Sequence, residues 1–170
     1  GRVPVIAGTG TNNTEHVISN TKAACEVGAD AVLVVTPYYN KATQNGLIAH
    51  FTAIADASTV PVILYNVPSR TGCNLLPKTA ARLAEHPNIV AIKEATGNMA
   101  QMVELRALCA DKLDIYSGED ALTVPMMAMG AKGTISVLSN VVPAESVAMT
   151  DACLSGDFET ASALQCRLLP

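Results

Sequence analysis

The sequence lacks a basic cluster, a long apolar run and a secretory signal pattern. Eleven basic and fifteen acidic side chains among 170 residues give a net charge of −4. Without a basic cluster, neither nucleic acid nor an anionic membrane surface is expected as the main partner. The densest apolar stretch, residues 121–131, is too short to cross a bilayer and contains Pro125. A membrane-spanning or nucleic-acid-binding protein is therefore not predicted.

Metal and nucleotide motifs are missing as well. The five cysteines are odd in number, widely scattered and free of Cys-x-x-Cys spacing. Neither a disulfide framework nor a zinc ribbon is therefore expected, and the reducing cytoplasm is the predicted location. The three histidines are isolated, without the spacing of zinc sites. Gly8-Thr9-Gly10 lacks the third glycine of the dinucleotide fingerprint, and there is no P-loop.

What the sequence does contain is a regular alternation of short apolar runs and helical segments. Apolar residues make up 49% of the chain, enough for a sizeable core. The predicted strands are Val3–Ala7, Ala31–Val35, Val60–Tyr65, Ile89–Lys93, Leu113–Tyr116 and Gly133–Leu138. The predicted helices run from Asn12 or Asn13 to Gly28, over Gln44–Ala57, from Pro77, from Asn98, from Pro143, and over Phe158–Leu169 after an Asp157 cap.

This alternation indicates an α/β protein with a parallel sheet. Most of the strands are continuously apolar, which is typical of parallel strands covered by helices on both faces. Six strand–helix units fit a doubly wound sheet or most of an eight-stranded barrel, and periodicity alone does not choose between them. Because there is no low-complexity linker and no internal repeat, residues 1–170 are expected to form a single domain.

Polar, glycine-rich segments follow the strands, which is where α/β proteins bind ligands. Lys93 ends an apolar run, and desolvation there would lower its pKa and leave a neutral amine able to attack a carbonyl. The alternative is a lysine that reaches solvent or pairs with Glu94. Tyr65 ends its strand in the same way, so its phenol lies either near the Lys93 amine, as a proton carrier, or packed at a barrel rim.

Three more side chains in these segments are candidates for a site. Arg70 follows a Pro-Ser turn, where its guanidinium either binds a substrate carboxylate in a bidentate manner or is simply solvated. Tyr38 and Tyr39 are two of only four tyrosines and occur together in one loop. One of them is a candidate for the site and the other for a subunit contact, with plain packing as the alternative.

Three of these segments belong together: Thr36–Asn40, Tyr65–Gly72 and Ile92–Asn98. In their order and approximate spacing they resemble the dihydrodipicolinate synthase family, which belongs with the N-acetylneuraminate lyases to the pyruvate-dependent class I aldolases. The resemblance runs from Gly1 to Pro170. It implies a (β/α)₈ TIM barrel that condenses pyruvate with aspartate semialdehyde, a lyase step of diaminopimelate and lysine biosynthesis. It further implies a homotetramer built as a dimer of dimers, with no cofactor and no metal.

The resemblance also implies roles for individual residues. Lys93 would form a Schiff base with pyruvate, and Tyr65 would donate and accept protons. Tyr39 would belong to a hydroxyl relay that reaches a neighbouring subunit. Arg70 would hold the carboxylate of the semialdehyde, and the backbone carbonyl of Ile135 would lie against pyruvate.

Sister families leave a second reading open. N-acetylneuraminate lyases and 2-keto-3-deoxy-sugar aldolases share the barrel and the lysine, but their acceptors are longer sugars. Arg70 favours the synthase, because a small acidic aldehyde needs a cationic anchor and a polyol does not. A third reading, from a different class, is a non-catalytic barrel remnant that only assembles with partners.

Two departures from the family pattern are visible. The first two strands of the family, including a Gly-Thr-Thr-Gly-Glu loop, and its C-terminal helices are not found. The chain is therefore expected to be a central fragment with about six of eight units and exposed strand edges. The second departure concerns a lysine-inhibitor site, which Asn12 and Tyr38 match. The glutamate expected one helical turn after Asn12 is His16 here, so we expect weak or no inhibition by lysine.

Overall fold

Over residues 1–109 and 111–169, which the computed structural model describes, six strands alternate with eight α-helices. The strands are β1 (Ile6–Gly8), β2 (Ala31–Val35), β3 (Val62–Asn66), β4 (Ile89–Glu94), β5 (Asp114–Ser117) and β6 (Gly133–Thr134). The helices are α1 (Thr14–Glu26), α2 (Gln44–Ala57), α3 (Pro68–Thr71), α4 (Pro77–Leu83), α5 (Met99–Cys109), α6 (Thr123–Ala128), α7 (Pro143–Leu154) and α8 (Phe158–Leu168). Short 3₁₀ turns cover Asp120–Leu122 and Leu138–Asn140.

The strands form one parallel sheet in the order β1-β2-β3-β4-β5-β6. Each strand therefore pairs with the next along the chain, with a helical connection between them. A doubly wound sheet reverses its strand order at a switch point, whereas a barrel keeps sequential order. The sheet is thus six consecutive units of a (β/α)₈ barrel, a half-barrel with β1 and β6 at its edges. Between the two folds that periodicity left open, the topology selects the barrel.

The register of the central strands aligns the ends that carry polar side chains. Val35, Tyr65, Lys93 and Tyr116 are consecutive partners across β2, β3, β4 and β5. Paired residues on parallel strands point to the same face, and side chains alternate between faces along each strand. The row that contains Tyr65 and Lys93 therefore points to one face of the sheet. The next row, with Asn66 paired to Glu94, points to the other face.

The core lies between the sheet and the surrounding helices. On the face of the sheet that is turned toward the helices, the strands bury four side chains completely: Val32, Val34, Leu64 and Ile92. The opposite, concave face is only partly covered, because Ala31, Leu33 and Val35 of β2 are half-buried. The prediction that the strands are buried on both faces is therefore wrong for β1 and β2. In β4 the residues that point to the concave face, Ala91 and Lys93, are buried, as predicted.

The helical periods locate most helices closely. Helix α2 has the predicted bounds, and α1 begins after Asn13, whose Oδ1 accepts from the His16 N–H at 3.1 Å. Gly28 follows α1 with a positive φ of 85°, the left-handed conformation that glycine adopts without strain. Helices α3 and α6 were not predicted. Both are short and contain a proline in the first turn, where its missing N–H costs no hydrogen bond.

Two edge strands differ from their predicted bounds. Strand β1 begins at Ile6 instead of Val3, because the Val5 N–H is bound by the Asp30 carboxylate at 2.7 Å. Strand β6 ends at Thr134 instead of Leu138, because the chain then turns into the 3₁₀ segment. No helix among the described residues combines the length and the apolarity that a bilayer crossing needs.

Candidate active site

Lys93 is buried at the carboxyl end of β4, with 9% of its surface exposed. Its Nζ lies 4.3 Å from the ring centroid of Tyr65, on the neighbouring strand β3. An ammonium at this distance from an aromatic face is attracted by the ring quadrupole. The amine and the phenol that the sequence placed at strand ends are thus in contact.

Both groups have shifted pKa values. Burial lowers the pKa of the Lys93 amine, and the negative charge of Asp120 acts in the opposite direction. Burial raises the pKa of the Tyr65 phenol, while Arg70 lowers it and Glu119 raises it further. A lysine with a lowered pKa has a larger neutral fraction at neutral pH, and only the neutral amine is a nucleophile.

Glu94 does not pair with Lys93, although it is the next residue in the chain. Its side chain is 2% exposed and lies on the helix-facing side of β4. Its carboxylate accepts from the Asn66 Nδ2 at 3.1 Å and from the Thr96 backbone N–H at 2.7 Å. Burial raises the pKa of Glu94, and the hydrogen bonds from Thr96, Asn66 and Gln101 oppose that shift. Of the two readings of Lys93, the desolvated amine is therefore the one that the geometry supports.

Asn66 connects Glu94 to the segment that follows α3. Its Nδ2 also donates to the Asn74 Oδ1 at 2.9 Å, and its Oδ1 accepts from the Leu75 N–H at 2.9 Å. Gln101 of α5 extends the network, because the Asn74 Nδ2 donates to its Oε1 at 2.9 Å. These side chains fix the ends of β3 and β4 to each other and to the helix layer. The positions of Tyr65 and Lys93 follow from this anchoring.

Two cavities open beside Tyr65, and Lys93 lines the first of them. The first, of about 280 Å³, is lined by Tyr65, Val67, Ser69, Arg70, Lys93, Ala95, Gly118, Glu119, Asp120 and Val137. The second, of about 400 Å³, is lined by Gly8, Gly10, Leu33, Val35, Tyr38, Tyr65, Val67, Arg70 and Thr71. Tyr65 and Arg70 line both. A substrate on Lys93 would therefore lie between a phenol and a guanidinium.

Arg70 is held by the short helix α3 and its surroundings. Gly72 ends α3 with a left-handed φ of 68°. The buried Thr71 hydroxyl donates to carbonyl oxygens of its own segment and accepts from the Cys73 N–H at 3.2 Å and from the Thr36 hydroxyl at 3.3 Å. The Thr71 carbonyl accepts from the Tyr39 N–H at 3.2 Å. Thr71 thus joins the segments that carry Arg70 and Tyr39.

Gly118 packs against the side chain of Lys93. A Cβ at this position would lie 2.9 Å from the Lys93 Cε and 2.8 Å from the Ala95 Cβ. Such distances are shorter than carbon atoms tolerate, so a larger residue would displace the lysine. Neither Gly118 nor Asp120 was singled out from the sequence. The available signal was their place in the polar segment that follows β5.

The remaining candidate residues do not line the cavity that contains Lys93 and lie farther out. Tyr39 is 88% exposed and has a positive φ of 75°, a strained conformation for a non-glycine residue. Tyr38 lines the larger cavity, whereas Asn12 is joined to the same loop through its carbonyl, which accepts from the Asn40 Nδ2 at 3.0 Å. His16 is exposed on α1.

Ile135 follows β6, and its N–H donates to the Ser117 carbonyl at 2.8 Å. It is half-buried and lies directly after Thr134, the last residue of β6. Its position at a strand end agrees with the rest of the site, but it is not among the residues that line the two cavities.

A buried lysine at the carboxyl end of a barrel strand, beside a tyrosine and an arginine, places the chain among the (β/α)₈-barrel proteins with a site at that end. The family profile described as the dihydrodipicolinate synthetase family matches residues 1–170. The chain belongs to this family.

Individual relatives agree with that assignment. The chain is 60% identical over 168 residues to the 4-hydroxy-tetrahydrodipicolinate synthase of Geobacter sulfurreducens, covering 99% of this chain and 58% of that protein. Its structure is similar to that of dihydrodipicolinate synthase from Aquifex aeolicus, with a TM-score of 0.97 and 47% identity over 99% of this chain and 58% of that one. The enzyme from Cyanidioschyzon merolae with lysine bound gives a TM-score of 0.93 and 44% identity, over 98% of this chain and 57% of that one. The chain thus spans about 58% of the length of the curated relatives it matches.

Proposed function

We propose that the protein condenses pyruvate with L-aspartate 4-semialdehyde to 4-hydroxy-tetrahydrodipicolinate, a lyase step of lysine and diaminopimelate biosynthesis. The observation that carries this proposal is the buried Lys93 amine, 4.3 Å from the Tyr65 ring centroid at the carboxyl ends of two barrel strands. Relatives that bear the name of this synthase support the choice of substrates.

The first step is attack of the neutral Lys93 amine on the keto carbon of pyruvate. Loss of water then leaves a protonated imine, the iminium, between Nζ and the former keto carbon. The positive nitrogen makes the neighbouring methyl group acidic, so that loss of one proton gives an enamine. The nucleophilic enamine carbon attacks the aldehyde carbon of the semialdehyde and forms the new C–C bond. The amino group that came with the semialdehyde then attacks the imine carbon, which closes the ring and breaks the bond to Lys93, so that the amine is released.

Proton transfer in these steps is assigned to Tyr65, with Tyr39 as a relay in a neighbouring subunit. The Tyr65 ring contacts the Lys93 amine, which puts the phenol on the side of the sheet where the reacting atoms would lie. The exposure and the strained backbone of Tyr39 support a role outside its own subunit, because strain of this kind collects at functional positions.

Arg70 is assigned to the carboxylate of the semialdehyde, and the Ile135 carbonyl to pyruvate. Arg70 lines the cavity that Lys93 lines and also the larger cavity next to it, and its planar guanidinium matches a carboxylate in geometry and charge. This cation favours a small acidic acceptor over the longer sugars that the sister aldolases use.

Four further statements belong to the same proposal. The protein acts as a homotetramer built as a dimer of dimers, in the cytoplasm, without a cofactor. Asn12, His16 and Tyr38 form a vestigial lysine-inhibitor site. Asn12 and Tyr38 stand on two neighbouring loops, since the Asn40 side chain donates to the Asn12 carbonyl across the gap, and His16 lies in the first turn of α1. Without a carboxylate at position 16, the ammonium of a bound lysine has one partner fewer.

The decisive test is reductive trapping of the proposed iminium. The protein is incubated with pyruvate and borohydride, its intact mass is measured, and the modified peptide is mapped. We expect one reduced pyruvyl group per chain, on Lys93. A Lys93→Ala variant is the control and is expected to remain unmodified. An unmodified wild-type protein, or an adduct on another lysine, would overturn the proposal.

A further inference from the structure

We propose that Asp120 is a positioning residue whose negative charge stabilises the positive charge formed on Lys93 when pyruvate is bound. This inference rests on the function proposed above. According to this inference, the charge of Asp120 lowers the dissociation constant of pyruvate. This effect is separate from that of the hydrogen bonds that the same carboxylate accepts.

The Asp120 carboxylate is held in a fixed place in the cavity that Lys93 lines. Asp120 begins the 3₁₀ turn after β5 and lines the same cavity of about 280 Å³ as Lys93. Its Oδ2 accepts from the backbone N–H groups of Val137 and Leu138, both at 3.0 Å. A carboxylate fixed by two donors keeps its orientation when the group beside it changes. Asp120 therefore joins the segment after β5 to the segment after β6 across the mouth of the cavity.

The charged groups around Lys93 come from three elements. Tyr65 faces it from β3, Arg70 lines the cavity from α3, and Glu119 and Asp120 line it from the segment after β5. The two neighbouring acids act on different partners. The charge of Asp120 raises the pKa of Lys93 against the effect of burial, whereas that of Glu119 raises the pKa of Tyr65. The chain thus places one carboxylate near each of the two reacting groups.

The effect of such a charge depends on pH in a definite way. Below the pKa of Lys93 both the free ammonium and the iminium are cationic, so Asp120 stabilises both states and its effect on pyruvate binding cancels. Above that pKa the free amine is neutral, and for as long as the adduct holds its proton only the iminium is charged. Asp120 then stabilises the adduct alone. A charge effect is therefore absent at low pH and present at high pH, while a purely structural effect is the same at both.

Asp120→Asn separates the two contributions. Its side-chain oxygen still accepts from the Val137 and Leu138 N–H groups, but the negative charge is gone. The apparent dissociation constant of pyruvate is measured from the fraction of chains reduced after a short borohydride quench, from about pH 6 to about pH 10. We expect pyruvate to bind about tenfold more weakly to the variant at the alkaline end, the size of effect that the loss of one nearby unit charge has. At the acid end we expect equal binding.

Two further variants sharpen the experiment. Glu119→Gln removes the neighbouring charge and is expected to show no such pH-dependent ratio. Asp120→Glu keeps the charge, and its pyruvate binding is expected to depend on pH as that of the wild type does. The inference would be overturned if Asp120→Asn weakened pyruvate binding equally at every pH, or if Glu119→Gln gave the same pH-dependent weakening. The proposed function would still stand in either case, because it depends on the adduct trapped on the wild type. Absence of the adduct in the wild type would overturn both.

Discussion

At the carboxyl ends of β3 and β4, the polar side chains on the two faces of the sheet differ in their hydrogen bonding. On the helix side, Asn66 and Glu94 are 0% and 2% exposed, and both take part in a hydrogen-bond network with backbone and side-chain partners. On the concave side, within the described part of the chain, neither the Tyr65 hydroxyl nor the Lys93 amine forms a hydrogen bond. In each strand, a residue with hydrogen-bond partners thus directly follows one without them.

This difference explains how a strand end can be rigid and reactive at once. A fully satisfied buried network fixes the backbone, because breaking any member leaves a polar group without a partner. The amine on the other face lacks such partners and is partly desolvated, so it is free to change charge and to form a bond. Variants on the concave face should therefore affect chemistry, whereas variants on the helix face should affect stability.

The largest effect is expected from Lys93→Arg. Arginine keeps the positive charge and much of the volume, but its guanidinium stays protonated and does not form an iminium. We expect kcat/KM for the condensation to fall by at least about a thousandfold, as for other nucleophile replacements. Circular dichroism and urea unfolding should remain close to those of the wild type. Retained turnover in this variant would show that another residue forms the adduct.

Gly118→Ala is expected to have the next largest effect on activity. The new Cβ would lie 2.9 Å from the Lys93 Cε, so the lysine must move by a large fraction of an ångström. Misplacement on this scale is expected to lower kcat by about a hundredfold. Gly133→Ala is the matched control, because its Cβ would make an ordinary contact of 3.6 Å with the Tyr116 ring. Equal losses in the two variants would remove the argument from close packing.

Glu94→Gln tests the helix face. All the groups that face the Glu94 carboxylate are donors, so the ionised form fits the site and a glutamine must turn its NH₂ toward one of them. We expect the free energy of unfolding in urea to fall by about 1 to 3 kcal/mol. Glu85→Gln removes an exposed carboxylate that pairs with Arg82, and its expected cost is below about 1 kcal/mol. Unchanged stability of Glu94→Gln would mean that Glu94 is protonated in the native state.

The same contrast shows what sequence reasoning reached and what it did not. The alternation of strands and helices and the polar strand ends follow from local patterns, because parallel strands bring their carboxyl ends to one edge. The closeness of Lys93 to Tyr65 was one of two alternatives that these patterns allowed, and the barrel was implied only by the family resemblance. The partial exposure of Leu33 and Val35 does not follow, since it depends on what covers the concave face. The close contact of Gly118 with Lys93 and the hydrogen bonds of Asp120 join segments about 17 to 25 residues apart. Contacts of this kind are set by three-dimensional packing, which periodicity does not encode.

The smallest effect is expected farthest from these two faces, in the loops that carry Asn12 and Tyr38. The His16→Glu variant introduces a carboxylate one turn after Asn12, on the exposed side of α1. Because a new ion pair at an exposed site contributes at most about 1 kcal/mol, inhibition by lysine is expected to strengthen by less than about tenfold. The measurement is the condensation rate as a function of lysine concentration, for the variant and the wild type. The wild type is expected to show weak or no inhibition, and a sub-millimolar inhibition constant would contradict the assignment of His16 as the weakened position.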